Sequence, residues 1–111
     1  MKKTALFLGD TKRVIGAFPK DARREAGYQL DAVQDGLEPT DWKPFPTIGP
    51  GVREIRIRER SGAFRVIYQA TLEDVVLVLN AFQKKTKKTP LREIEKARVR
   101  LVDYLKVRGA K

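Results

Sequence analysis

Basic side chains recur at every second position along one short segment and cluster again further along the chain. The first group is Arg56, Arg58 and Arg60, and Arg65 follows in the next apolar run. The second group opens with Lys84 and continues with three more lysines, which are Lys85, Lys87 and Lys88. Guanidinium groups donate paired hydrogen bonds to phosphate oxygens, and ammonium groups attract phosphate as point charges. The pattern predicts a phosphate-binding surface.

The same residue types could cleave RNA without a metal ion. The ribose 2′-hydroxyl would attack the adjacent phosphorus and leave a 2′,3′-cyclic phosphate, which requires a base, an acid and cationic donors for the phosphorane. Arg56, Arg58 and Arg65 suit the role of donors, whereas a guanidinium stays protonated and is poorly suited to proton transfer. The candidate base or acid is a lysine whose pKa neighbouring cations lower. The lysines in question are Lys84, Lys85 and Lys87.

A predicted β-hairpin carries the arginines. The segment before Ser61 alternates apolar and charged residues, and the segment after Gly62 is rich in aromatic and β-branched residues, which is typical of two strands. A two-residue loop at Ser61 and Gly62 would place Ile57 opposite Val66, so that the apolar partners share one face. Residues 74–82 are apolar almost throughout and predict a third strand, covered on both faces.

This hairpin register sets two like charges against each other. It places Arg58 directly opposite Arg65, and like charges across a strand pair are destabilising. Glu54 and solvent could screen the pair, or an anion could bind between the two arginines. We favour the anion, because arginines concentrated on one sheet face suit phosphate.

The N-terminal third predicts a strand followed by two helices. Residues 4–8 form a short apolar run, and Asp10 could cap a brief helix over residues 11–17. Pro19 opens a longer helix with apolar residues at helical spacing, which ends at the Asp35-Gly36 pair.

A proline-rich connection and a final helix complete the chain. Residues 37–51 contain four prolines and two glycines, which predicts an irregular connection whose Trp42 and Phe45 fold back onto the edge of the core. For Trp42, stacking on a nucleobase is the alternative. Thr89 is a suitable N-cap, and Pro90 suits the first position of the helix. The expected buried stripe of this helix consists of Leu91, Ile94, Ala97, Leu101, Val102, Tyr104 and Leu105.

Composition limits the classes of function. The chain has 111 residues, with 24 lysines and arginines against 14 aspartates and glutamates, and a net charge of +10. Such a balance favours a polyanionic partner, with nucleic acid first. Cysteine and histidine are both absent, so we expect neither the usual metal sites nor a cofactor. We expect one domain over residues 1–111, located in the cytoplasm and not in a membrane.

Three segments together resemble a known family. They read Gly-Val-Arg-Glu-Ile-Arg at 51–56, Phe-Arg-Val-Ile-Tyr at 64–68, and Phe-Gln-Lys-Lys-Thr-Lys-Lys-Thr-Pro at 82–90. In this order they resemble the HigB-like branch of the RelE/ParE toxin superfamily, the toxins of type II toxin–antitoxin modules, some of them phage-borne. The C-terminal half carries the resemblance closely, and the N-terminal layout is compatible with it.

The resemblance implies a fold, an activity and partners. The fold is α+β and RelE-like, with about four strands in a twisted antiparallel sheet, two N-terminal helices and a C-terminal helix, the helices packing on one face. The implied activity is cleavage of mRNA in the ribosomal A site, silenced by a helix-turn-helix antitoxin encoded by an adjacent gene. Carried over residue by residue, the catalytic positions are Arg56, Arg65 and Lys84. The remaining basic residues, expected to bind RNA phosphates, are Arg58, Arg60, Lys85, Lys87 and Lys88.

Two other classes of function fit the same residues. A ParE-like toxin would use this fold to poison DNA gyrase, without any RNA chemistry. A noncatalytic nucleic-acid-binding module would use the positive charge only to release counterions from a polyanion. Loss of cleavage on removal of Arg65 would distinguish the endoribonuclease from both, because fold alone does not fix activity.

Overall fold

A five-stranded sheet forms the centre of the protein, and the computed structural model describes residues 2–109. The strand order is β1-β5-β4-β3-β2. The strands are β1 (Thr4–Phe7), β2 (Trp42–Pro44), β3 (Val52–Glu59), β4 (Gly62–Gln69) and β5 (Val75–Lys84). The helices are α1 (Thr11–Gly16), α2 (Lys20–Gln34) and α3 (Leu91–Gly109). The expected α+β class is confirmed, with one strand more than the four or so expected from the resemblance.

The sheet is covered on both faces, not on one as the resemblance implied. Helices α1 and α2 pack on the face that carries Ile55, Ile57 and Val66, and α3 packs on the face that carries Ile67 and Leu77. Residues of β5 alternate between these two clusters, because successive side chains of a strand point to opposite faces, except at a shift in register against β4 between Val78 and Asn80. This explains the continuous apolar run of β5, which matches the predicted strand covered on both sides.

Both outer strands depart from the expected antiparallel sheet. Strand β1 pairs in parallel with β5, with Thr4 opposite Val75, so the sheet is mixed. Strand β2 lies inside the proline-rich connection, where no regular element was expected, and pairs antiparallel with β3. Pro44 is tolerated there because an edge strand needs no donor on its outer side. Phe45 packs against the core cluster beneath α3, as expected.

Trp42 does not join either buried cluster. It is half-buried in β2, opposite Ile55. The guanidinium carbon of Arg53 lies 3.9 Å from its ring centroid, within the range of a cation–π contact. Trp42 therefore packs on an arginine at the sheet edge, and not in the core.

The loop of the β3–β4 hairpin is displaced from its predicted position. Glu59 lies opposite Gly62, so the two loop residues are Arg60 and Ser61, not Ser61 and Gly62. Gly62 has a φ of +138°, which L-residues with a side chain rarely adopt, and this fixes the glycine as the first residue of β4. The cross-strand partners therefore differ from the predicted ones, and this changes which arginine lies opposite Arg65.

The terminal helices differ in detail from their predictions. Asp10 precedes α1, but its side chain makes no capping hydrogen bond; Oδ1 instead accepts one from Nη2 of Arg100, at 3.0 Å. Helix α3 begins at Leu91, one residue after Pro90. Burial on α3 is confined to a narrow stripe that includes Ala97 and Leu101. Three members of the expected stripe are exposed, which are Leu91, Val102 and Leu105.

Within residues 2–109, no helix is both long enough and apolar enough to cross a membrane.

Candidate nucleic-acid interface

The sheet face beneath α3 is apolar at one end and charged at the other. At the apolar end, Ile67, Leu77 and Leu79 pack with Ala97 and Leu101 of α3. The charged end lies further along β3, β4 and β5, towards the β3–β4 hairpin and the residues that follow β5. The predicted site residues collect at this end, because the antiparallel pairing aligns three segments that are distant in sequence.

The first charged row joins two arginines. Arg56 on β3 lies directly opposite Arg65 on β4, and Arg65 lies opposite Phe82 on β5. The expected pairing of Arg58 with Arg65 is wrong. The strands have slipped by two residues, which keeps every side chain on its face and changes only its partner. Two of the three predicted catalytic residues are therefore cross-strand neighbours.

The second charged row lies nearer the hairpin. Arg58 is opposite Ala63, and Ala63 is opposite Lys84, the last residue of β5. Successive residues on one face of a strand are about 7 Å apart, which sets the spacing between the two rows. Since Ala63 carries only a methyl group, little side-chain volume separates Arg58 from Lys84. Arg58 is exposed and Lys84 is half-buried.

Arg65 is the buried cation of the site, with 7% of its surface exposed. Its Nη1 donates a hydrogen bond of 3.1 Å to the carbonyl oxygen of Phe64, and its Nε lies 3.7 Å from Oε2 of Glu54. Burial lowers the pKa of Arg65, Glu54 opposes this shift, and the nearby Arg56 and Arg58 add to it. The guanidinium nevertheless stays charged, because its ordinary pKa is so high.

Arg56 is held by an aspartate that the sequence did not single out. Its Nε donates a 3.0 Å hydrogen bond to Oδ1 of Asp41, and its Nη2 lies 3.0 Å from the same oxygen. The backbone N–H of Arg56 also donates to the Asp41 carbonyl, at 2.8 Å. Both side chains of this ion pair are more than one-third exposed, so an incoming phosphate can compete with Asp41 for the guanidinium.

Lys84 has the electrostatic environment expected of a proton-transfer group. Its pKa is lowered, first by burial and then by the charge of Arg65, while Glu54 opposes the shift. Lys43 and Arg56 lower it further. A lysine with a lowered pKa is neutral more often at a given pH and can then accept a proton.

Glu54 is the main residue that sequence reasoning misplaced. Alternation assigned it to a half-exposed face, but only 1% of its surface is exposed. Neither carboxylate oxygen has a hydrogen-bond partner among residues 2–109, and Lys43 lies opposite it on β2. The sequence feature that could have indicated its burial is that Glu54 is the single acidic residue on a strand face that otherwise carries arginines.

The other predicted phosphate-binding residues surround these rows. Arg60 lies in the hairpin loop, and Lys85, Lys87 and Lys88 lie in the segment between β5 and α3, with all four exposed. A groove of about 440 Å³ runs between this segment and the β2 edge, and it brings Lys84, Lys87 and Lys88 together. Lys85 and Arg60 lie outside its lining. The remaining groove residues are Lys43, Pro44, Phe45, Glu54, Thr89, Leu91 and Ile94.

Comparison with known proteins places the chain in a family. No curated protein is significantly similar to it. The family model described as "Phage derived protein Gp49-like (DUF891)" matches residues 13–102. The matched segment runs from α1 into α3 and includes every site residue discussed above. The chain therefore belongs to the Gp49-like family of phage-derived proteins, a family of RelE-like toxins of toxin–antitoxin modules.

Proposed function

We propose that this protein is the toxin of a type II toxin–antitoxin module and an mRNA endoribonuclease that acts on the ribosome. The observation that carries the proposal is the cross-strand pair of Arg56 and Arg65 beside Lys84. Like charges across a strand pair repel; Glu54 partly balances Arg65, whereas within residues 2–109 Arg56 is balanced only by the exposed Asp41, which another anion can replace. RNA phosphate is such an anion, and a net charge of +10 favours a polyanionic substrate.

The proposed reaction divides the work among these three residues. Neutral Lys84 accepts the proton of the ribose 2′-hydroxyl, whose oxygen then attacks the adjacent phosphorus. Arg65 and Arg56 donate hydrogen bonds to the phosphorane oxygens as negative charge develops. The bond to the 5′-oxygen breaks, and that oxygen takes a proton from the lysine ammonium or from water. The products are a 2′,3′-cyclic phosphate and a 5′-hydroxyl.

The family and the net charge support the partners that we propose. A helix-turn-helix antitoxin encoded by an adjacent gene would silence the protein, and an acidic inhibitory segment would be attracted to the basic surface. Ribosomal RNA is itself a polyanion, and the exposed Arg58, Arg60 and Lys85 would hold it outside the groove.

The test is to induce the chain in a bacterial host while mRNA 5′ ends are mapped. The matched pair of variants is Arg56→Gln/Lys84→Gln and Lys20→Gln/Arg23→Gln, which remove equal charge. The control residues are exposed on α2, which covers the opposite face of the sheet. Growth arrest with cuts in translated frames should persist in the control, disappear in the site variant, and be relieved by the adjacent gene.

Other outcomes would select other functions. Growth arrest with intact mRNA and gyrase-dependent DNA breaks would support the gyrase poison. Cuts that survive in the site variant would remove these residues from the mechanism. No arrest and no cuts would leave a noncatalytic nucleic-acid-binding module, for which both variants should weaken binding to a similar extent.

A further inference from the structure

A buried carboxylate that accepts no hydrogen bond from the described residues borders the groove beside the arginine rows. Glu54 is 99% buried and borders the groove. Neither of its oxygens has a hydrogen-bond partner among residues 2–109, and its nearest ion-pair contact, Nε of Arg65, is at 3.7 Å. That distance is too long for a hydrogen bond. A buried acceptor without a donor costs free energy of folding, and a ligand that donates hydrogen bonds to it would recover that cost.

The groove has the size and the walls of a nucleobase site. Its volume of about 440 Å³ lies within the range of small-ligand pockets. Phe45 is half-buried and presents an aromatic ring on which a base can stack, and Leu91, which is 82% exposed, adds apolar surface beside it. Lys43 and Lys87 add positive charge that attracts the RNA backbone.

We propose that this groove binds a guanine base of the RNA strand and that Glu54 accepts its hydrogen bonds; this rests on the proposed function. Guanine is the base whose Watson–Crick edge carries two adjacent donors, N1–H and the N2 amino group, which match the two oxygens of one carboxylate. Adenine, cytosine and uracil each offer a carboxylate only one donor group on that edge. Glu54 is therefore a specificity-determining residue, and Arg65 keeps its negative charge compensated when the groove is empty.

The position of Glu54 relative to the arginine rows suits one nucleotide. Glu54 and Arg56 lie two residues apart on the same face of β3, about 7 Å apart along the strand. This separation is compatible with a phosphate on Arg56 and Arg65 and the base of the same nucleotide at Glu54. The groove thus selects the nucleotide whose phosphate the arginines hold.

The experiment measures binding without cleavage. The probes are fluorescent RNA hexamers with every 2′-hydroxyl methylated, which prevents 2′-oxygen attack, and with one central guanosine, inosine or adenosine among uridines. Inosine differs from guanosine only in the missing N2 amino group. We expect the guanosine hexamer to bind at least about fivefold more tightly than the inosine hexamer, the low end for a paired hydrogen-bond contact to a base. Fluorescence anisotropy at a single low salt concentration gives the dissociation constants.

Variants identify the residue responsible. Glu54→Gln should reduce the guanosine-to-inosine ratio to about one, whereas Phe45→Leu should weaken binding of all hexamers and keep the ratio. Equal binding of guanosine and inosine by the unaltered protein overturns the inference, and this test stands even if Glu54→Gln does not fold. So does a ratio that Glu54→Gln leaves unchanged.

The two proposals can fail separately. Cleavage of natural RNA without any preference for guanine would overturn the groove assignment and leave the endoribonuclease in place. A guanine preference in binding, without cleavage of unmodified RNA on the ribosome, would keep the groove and overturn the endoribonuclease.

Discussion

The buried pair of Glu54 and Arg65 should couple strongly to folding. The side chains are 1% and 8% exposed, and the charged atoms lie 3.7 Å apart. At this distance and an effective dielectric constant of about 20, their Coulomb attraction is about 4.5 kcal/mol. Removal of one partner leaves the other charge buried, which typically costs about 3–5 kcal/mol. We expect Arg65→Gln to fall at the low end, because it also relieves repulsion with Arg56 across the strand pair.

The assay is a double-mutant cycle in urea. The free energy of unfolding is measured for the unaltered protein, Glu54→Gln, Arg65→Gln and the double variant. The double variant should lose less stability than the two single losses combined, by at least about 2 kcal/mol, because no buried charge remains unpaired. Additive losses, or single losses below about 1 kcal/mol, would refute the assignment of a coupled pair. The cycle also determines whether an inactive Arg65 variant has lost chemistry or has lost its fold.

Four shorter predictions test other features of the structure. If neutral Lys84 is the base, its lowered pKa predicts a cleavage rate that rises with pH and levels off below the ordinary lysine pKa. Lys84→Arg should abolish this rise, and an unchanged pH–rate profile in that variant would exclude Lys84 as the base. Asp41→Asn should tighten RNA binding up to about fivefold in anisotropy measurements, since it frees Arg56 from an exposed ion pair; weaker binding would contradict this. The buried hydroxyl of Tyr68 makes no hydrogen bond of normal geometry among residues 2–109, and Arg53 is the polar side chain that faces it across the strand pair. Tyr68→Phe should therefore keep or raise the melting temperature; a marked drop would show that Arg53 and the hydroxyl are hydrogen-bonded. Gly62→Ala should cost about 1–3 kcal/mol in urea because of the φ of +138°, and an unchanged midpoint would count against that backbone geometry.

Alternation predicted the faces of the hairpin but could not predict its register. Ile57 and Val66 lie on the same face as expected, although Ile57 is opposite Phe64 and not Val66. A slip of two residues preserves the period of two, so apolar partners still meet in either register. Only the loop distinguishes the alternatives, and here Gly62 begins the strand instead of ending the loop. The pattern of alternation therefore could not determine whether Arg56 or Arg58 lies opposite Arg65.

Burial at the charged end also depends on contacts that are remote in sequence. Alternation shows which face Glu54 occupies, but its burial is fixed where β2 and the start of α3 enclose that end of the sheet. Strand β2 was not predicted, because it lies in a proline-rich segment and because an edge strand of three residues is too short to show a periodic pattern. The third strand was predicted from its apolar run, but it continues two residues beyond the predicted end at residue 82, and this extension places Lys84 in the row next to Arg65.

The two arginines of the central row differ in how readily they can change partners. Arg56 is bound to an exposed carboxylate, and exposed ion pairs contribute about 0–1 kcal/mol, so a phosphate can displace Asp41 at small cost. Arg65 faces a carboxylate that is buried with it, and separating them would leave a charge without compensation. Under the proposed function, Arg65 would therefore bind a phosphate without reorienting, with its charge partly balanced by Glu54, whereas Arg56 would have to move from Asp41 to the phosphate. A donor that needs no reorganisation as charge develops contributes most to the transition state. If the protein is the proposed endoribonuclease, Arg65 should therefore be the stronger determinant of rate, and Arg56 should decide the competition between RNA and Asp41.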